Sequence, residues 1–162
     1  MALLTIVKDG DEVLRKKCKE VKEITPKVRT LIEDMIETLH EAQGAGLAAP
    51  QVGILKRIAI VETEPDETIV LINPKIVAYY GEQEELEGCL SIPGKWGITK
   101  RPMGVTVNAI DLDGNPVTYT GTGLKARAFC HEIDHLDGIL FKDKAERMLS
   151  KREIRELEEE EE

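Results

Sequence analysis

The chain has 162 residues, of which 41% are hydrophobic and only 4% aromatic, enough to bury one core built from Ile, Leu and Val. Its net charge of −9 owes much to the five closing glutamates, Glu158 to Glu162; without them 22 basic residues face 26 acidic ones, with no basic patch of the kind that marks nucleic-acid binding. No apolar run nears membrane-spanning length, and the N-terminus lacks signal-peptide or transit-peptide character, so a cytoplasmic protein with neither DNA nor membrane as partner is expected.

Residues 1–24 mix charge with isolated apolar positions such as Leu14 and Val21, and read as a surface arm with a short helix after Asp11. Cys18 lies in that arm and is given no role. With Cys89 and Cys130 it makes three irregularly spaced cysteines, which fits free thiols in a reducing compartment. Thr25-Pro26 is a helix start, with Thr as N-cap and Pro at the first helical position. Val28, Leu31, Ile32, Met35 and Leu39 follow at helical spacing, and the helix stops before Gly44, with His40 solvated near its end.

The run Gly44-Ala45-Gly46-Leu47-Ala48-Ala49-Pro50-Gln51-Val52-Gly53 comes next. Its glycines permit either close approach of the backbone to a ligand or dihedrals with φ > 0; a tight connection of small residues is the simpler alternative. No Lys-Ser/Thr pair follows, so phosphate cradling is not indicated. Gln51, the one polar side chain of the run, is a candidate donor to a carbonyl or oxyanion.

Arg57–Val61 and Ile69–Ile72 are β-branched strands joined by a polar loop over Glu62–Glu67, with a further strand at Lys75–Tyr80. Val105, Val107 and Ala109 alternate, and Asp111 to Asn115 turn the chain into Pro116–Thr120 as a hairpin. Thr122 or Gly123 starts a second long helix, which Gly138 ends. The Lys/Glu-rich segment after Phe141, bearing Met148, Leu149, Ile154 and Leu157, reads as a peripheral helix running into the acidic tail. The expected organisation is one catalytic domain over 1–150, followed by a charged helix and tail over 151–162. The expected fold is α+β, with antiparallel β-sheets packed around a central helix.

That central helix carries His131-Glu132-Ile133-Asp134-His135. Four-residue spacing stacks both imidazoles on one helical face, where they can share a metal ion, and Glu132 can reach water at the ion as a general base without being a ligand. The face formed by Leu124, Ala128, His131 and His135 is mostly apolar, so the imidazoles should point inward, where a metal satisfies their lone pairs. The motif lacks a third ligand. Cys89, Cys130, Glu146, Glu153 and Glu156 are the candidates. Cys130 points about 100° around the helix from its neighbour His131 and suits a small buried residue. The three acids belong to a charged, exposed segment. Cys89 follows a glycine at a turn or strand edge, where a thiolate can be held rigidly, although on residue type alone a buried free cysteine is the better match.

Taken together, the runs GAGLAAPQ (44–51), EGCLS (87–91) and HEIDH (131–135) resemble the peptide deformylases, over about residues 1–150. The resemblance implies that Cys89, His131 and His135 bind one divalent metal ion, Fe²⁺ in the cell with Zn²⁺, Ni²⁺ or Co²⁺ as substitutes. It implies that Glu132 is the base and later the acid, and that Gln51 and the backbone N–H of Leu90 hold the oxyanion. The substrate it implies is the N-formylmethionyl end of a nascent polypeptide, which loses its formyl group as formate. The peptide is expected to lie extended between the Gly44–Ala45–Gly46 edge and the Glu87–Gly88 region, near Trp96, with its methionine among Leu124, Ala128 and the His131 face. Ala45 and Trp96 depart from the branched Val/Ile and the Arg found in other members. The acidic C-terminus replaces a basic helix suited to ribosomal RNA, so ribosome association is expected to be transient at most. An HExxH metallopeptidase with a downstream Glu as third ligand, and a non-catalytic peptide-binding module, are the rival readings.

Overall fold

Thr25 accepts a hydrogen bond from the Val28 N–H at 3.2 Å, and Pro26 opens the first helix, α1 (Pro26–Ala42). Val28, Ile32, Met35 and Leu39 form its buried stripe, spaced as one face of a 3.6-residue helix requires. The structure, a computed structural model, describes residues 2–161.

The stripe packs on an antiparallel sheet made of β1 (Gly46–Ala48), β2 (Ile58–Glu64), β3 (Glu67–Tyr80), β6 (Gly104–Ile110) and β7 (Pro116–Thr122), in the order β1-β2-β3-β6-β7. In β2, Ile58 and Ile60 face α1, while Ala59 and Val61 face a second helix, α2 (Leu124–Leu136). A strand covered on both sides needs apolar residues at every position, hence the unbroken Ile58–Val61 run. A smaller antiparallel sheet, β4 (Gln83–Cys89), β5 (Ile92–Arg101) and β8 (Ala145–Ser150), has the order β4-β5-β8. Polar contacts from β4 and β5 to α2 set that helix between the two sheets. The expected α+β architecture around a central helix is what the chain adopts. The short α3 (Phe141–Lys144) precedes β8, and α4 (Lys151–Glu161) follows it.

Four expectations need correction. The arm over 1–24 does form a 3₁₀ turn at Glu12–Arg15, but Leu14, Cys18 and Val21 are buried in the core. Asn73 pins the arm by donating to the Val21 carbonyl and accepting from its N–H, each at 2.8 Å. The two strands expected at Ile69–Ile72 and Lys75–Tyr80 are one, because Asn73 at φ 51° absorbs a register shift between Ile72 and Lys75 and lets Pro74 sit within the strand. The Glu62–Glu67 loop shrinks to a tight turn at Pro65–Asp66, with Glu64 opposite Glu67. Finally, 145–150 is a strand rather than helix: pairing with β5 from Lys95↔Ser150 to Thr99↔Ala145 overrides its helical composition. Glu162, the last residue of the expected tail, lies outside the described residues.

Candidate metal centre

Helix α2 follows its N-cap Gly123 and buries His131, Glu132 and His135, which are 8%, 3% and 0% exposed. The imidazoles point inward, as their apolar face requires. Nε2 of His135 lies 3.2 Å from Nε2 of His131 and 3.4 Å from Sγ of Cys89, the residue that closes β4. One ligand atom from each of the three residues falls within 4.8 Å of the others. Cys130 is buried away from them and its thiol is pushed up to about 11, chiefly by burial, as suits a small core residue. Glu146, Glu153 and Glu156 are surface residues paired with Lys100, Arg147 and Arg152.

The cluster suits a cation. Burial holds His135 well below its ordinary value, so its nitrogen keeps a free lone pair. Burial works the same way on His131, yet Glu132, Cys89 and Glu87 around it raise it well above its ordinary value, so the site draws positive charge. Burial pushes Glu132 up to about 7, and its Oε1 has no hydrogen-bond partner. A thiolate and two imidazoles on one side of a cavity are the donor set of a site for a borderline divalent ion.

The candidate ligands are held from behind. Nδ1 of His131 lies 2.6 Å from Oε2 of Glu87, which fixes its Nε2 toward the cluster. Glu87 also accepts from Thr99 Oγ1 at 2.9 Å and from Arg101 Nε and Nη2 at 3.1 and 2.7 Å. Arg101, 3% exposed, reaches on to Asp134 at 2.7 Å and so ties β4 and β5 to α2. Burial opposes ionisation of Glu87, but the bonds from His131 and Arg101 bring it down to about 2. Sequence reasoning assigned Glu87 to the peptide edge and did not foresee this duty. It also missed Arg101, Asp134, Thr99 and Ser91. An Arg beside a proline and an Asp inside the motif carry no local signal that they will meet.

Gln51, 1% exposed, accepts from the Ala48 N–H at 2.9 Å and donates from Nε2 to Ser91 Oγ at 3.1 Å and toward Cys89 Sγ at 3.5 Å. A cavity of about 400 Å³ opens in front of the cluster. Gln51, Cys89, Leu90, His131 and Glu132 border it, as do Gly44, Ala45 and Gly46 on one edge and Glu87, Gly88 and Trp96 on another. Leu124 and Ala128 complete the list of sequence-derived positions around it; His135 alone lies behind the wall, fully buried. The glycines serve close approach, since neither Gly44 nor Gly46 has positive φ. A Cβ on Gly46 would overlap the Glu132 carboxylate, and one on Gly44 would lie 2.8 Å from the Leu90 side chain.

An α+β fold with a His-Cys donor set and a buried carboxylate facing a cavity defines a metal-dependent hydrolase of the HExxH kind. A profile of the family described as polypeptide deformylase matches residues 3–151. A peptide deformylase of Lachnoclostridium phytofermentans is 55% identical over 137 residues, 83% of this chain and 84% of that one. One of Acetivibrio thermocellus is 51% identical over 154 residues, 95% and 90% of the two chains. The crystal structure of a Legionella pneumophila peptide deformylase superposes with a TM-score of 0.85 at 39% identity, covering 98% of this chain and 97% of that one. The chain therefore belongs to the polypeptide deformylase family, hydrolases that remove the N-formyl group from nascent peptides, and this reading stands over the metallopeptidase alternative.

Proposed function

We propose that Cys89, His131 and His135 hold one divalent metal ion, Fe²⁺ in the cell, and that the residues around it remove the formyl group from N-formylmethionyl chains in the bacterial cytoplasm. The observation that carries this is the convergence of one sulfur and two nitrogens to within 4.8 Å, beside a carboxylate oxygen with no partner. When bound, the ion supplies Lewis acidity, which makes water nucleophilic near neutral pH and polarises a carbonyl.

The chain's own residues do the rest. Glu132 takes the proton of the attacking water at its free Oε1 and returns it to the amine nitrogen as the C–N bond to the formyl carbon breaks. Formate and a free N-terminal methionine result. Gln51 Nε2 and the Leu90 N–H donate to the oxygen on which negative charge grows, each contributing about 2.7–4 kcal/mol in comparable sites. Ser91 and the Ala48 N–H keep the Gln51 amide from swinging away. The formyl-bearing chain runs extended beside β1, adding a strand at that edge, with its methionine against Leu124 and Ala128. A formyl group has only hydrogen beyond its carbonyl, and a wall formed by Gly46 and Glu132 in contact excludes larger acyl groups by size. The acidic α4 repels RNA phosphates, so encounters with the ribosome are transient.

Formate release from formyl-Met-Ala, measured with and without a chelator, tests this. Release that stops on chelation and returns with added Fe²⁺ or Ni²⁺ is expected. Undiminished release in chelator, or none under any metal, contradicts it.

A further inference from the structure

Three arginines are not exposed. Arg57 pairs with Asp137, and Arg101 with Glu87 and Asp134. Arg127 has no carboxylate partner among the described residues. It lines the cavity in front of Glu132, its Nη1 is held by the Leu86 carbonyl at 3.0 Å, and its buried Nε has no hydrogen-bond partner. Leaving a buried cationic donor unpaired is costly, so the group is poised for an acceptor from outside the chain. Lys95 lies on the same rim, also without an ion pair among the described residues. Of the two carboxylates bordering the cavity, Glu87 is bound by Arg101 and His131, and Glu132 is buried against Gly46 beside the candidate ligands rather than exposed at the mouth. The free charge at the mouth is therefore positive.

We propose that Arg127 is a specificity-determining residue that recognises an acidic side chain on the third residue of the formylated peptide, with Lys95 adding to the attraction. The proposal rests on the deformylase reading and on the extended substrate it entails. In an extended chain the first and third side chains point to the same side, about 7 Å apart. Arg127 stands one turn, roughly 6 Å, along α2 from His131 and about 100° around the helix from Ala128, so it lines the cavity beside the wall that receives the methionine. The second side chain points the other way and escapes this contact. A planar guanidinium fixed by one N–H to a backbone carbonyl keeps its remaining donors in a fork that matches a carboxylate.

Formate release is measured on formyl-Met-Ala-Glu-amide, formyl-Met-Glu-Ala-amide, formyl-Met-Ala-Lys-amide and formyl-Met-Ala-Ala-amide, using the metal-loaded enzyme and its Arg127→Gln and Arg127→Lys variants. The expected kcat/KM ratio of the third-position Glu to the Lys peptide is about fivefold to tenfold in the parent, shrinking with added salt. It should fall to near unity in Arg127→Gln, recover in part in Arg127→Lys, and be absent when Glu stands second. A ratio unchanged in Arg127→Gln, a parent that does not distinguish Glu from Lys, or an equal gain from Glu at the second position overturns the proposal. Turnover of the Ala peptide with no charge preference defeats this inference alone; no formate from any of the four peptides defeats the deformylase reading with it.

Discussion

Glu87 Oε2 lies 2.6 Å from Nδ1 of His131, joining the strand that ends in Cys89 to the helix that carries both histidines. One carboxylate thus orients one proposed ligand and positions the backbone of another two residues away. Arg101 makes the joint rigid by donating to Glu87 and Asp134 together. Removing Glu87 leaves Arg101 buried with an incomplete set of partners, which in comparable sites costs about 3–5 kcal/mol. Loss of the orienting bond costs metal affinity by roughly 10–100-fold. Glu87→Ala should show both effects in thermal unfolding and in chelator competition, and Glu87→Gln, which keeps a hydrogen-bonding oxygen, should show less of each. Parent-like affinity in the Ala variant would contradict the orienting role.

Gly46 and Glu132 touch so closely that no side chain fits between them. Gly46→Ala should displace the Glu132 carboxylate while the fold survives, because β1 keeps its pairing to β2 from Gly46↔Val61 to Ala48↔Ala59. A displacement near 1 Å at a reacting group typically lowers turnover by about 10²-fold. The check is kcat for formate release beside a circular dichroism spectrum; an unchanged kcat would mean that Glu132 tolerates movement.

The histidine pair of the proposed metal site was legible in the sequence because its members stand four residues apart on one helix, whereas Cys89 entered only through the family resemblance. Helix α1 was legible for a similar reason: its cap and apolar stripe are local. The brace behind the ligands was not. Glu87, Arg101, Asp134 and His131 are separated by 14, 33 and 44 positions along their bonded pairs, so only the closed fold reveals them. The sheet that holds Cys89 was hidden too. Glu84 and Glu85 face solvent in β4, and β8 is built from residues of helical composition, so pairing with β5 and not propensity makes them strands. The N-terminal arm looked superficial because Leu14, Cys18 and Val21 have no regular period, yet each fills a gap in the core.

Burial pushes the thiols of Cys18 and Cys130 up to about 11. At pH 7 such a group is ionised in only about one molecule in 10⁴, and the thiolate is the reactive form. Iodoacetamide mapping by mass spectrometry on chelator-treated protein should find Cys89, which borders the cavity, modified first, with Cys18 and Cys130 far behind. The raised values also have a stability consequence: the folded state holds these protons more tightly than the unfolded chain. Their contribution is complete below the ordinary thiol value and fades as pH climbs through about 11. Tm should fall as pH rises through that window, and by less in Cys18→Ala.

A ferrous ion held by a thiolate is exposed to oxidation in a way that a nickel ion is not. Activity of the Fe²⁺-loaded protein should decay in air while that of the Ni²⁺-loaded protein persists, with both stable under nitrogen. Equal lifetimes in air would refute this.

The central claim is that one sulfur and two imidazoles hold the ion on which the reaction depends. Metal analysis of the purified protein and its Cys89→Ala variant, each incubated with equimolar Ni²⁺ and then desalted, tests it most directly. The parent should retain close to one ion per chain, and the variant should lose both the ion and formate release while remaining folded. A variant that keeps the metal and still releases formate would show that the sulfur at position 89 is not a ligand.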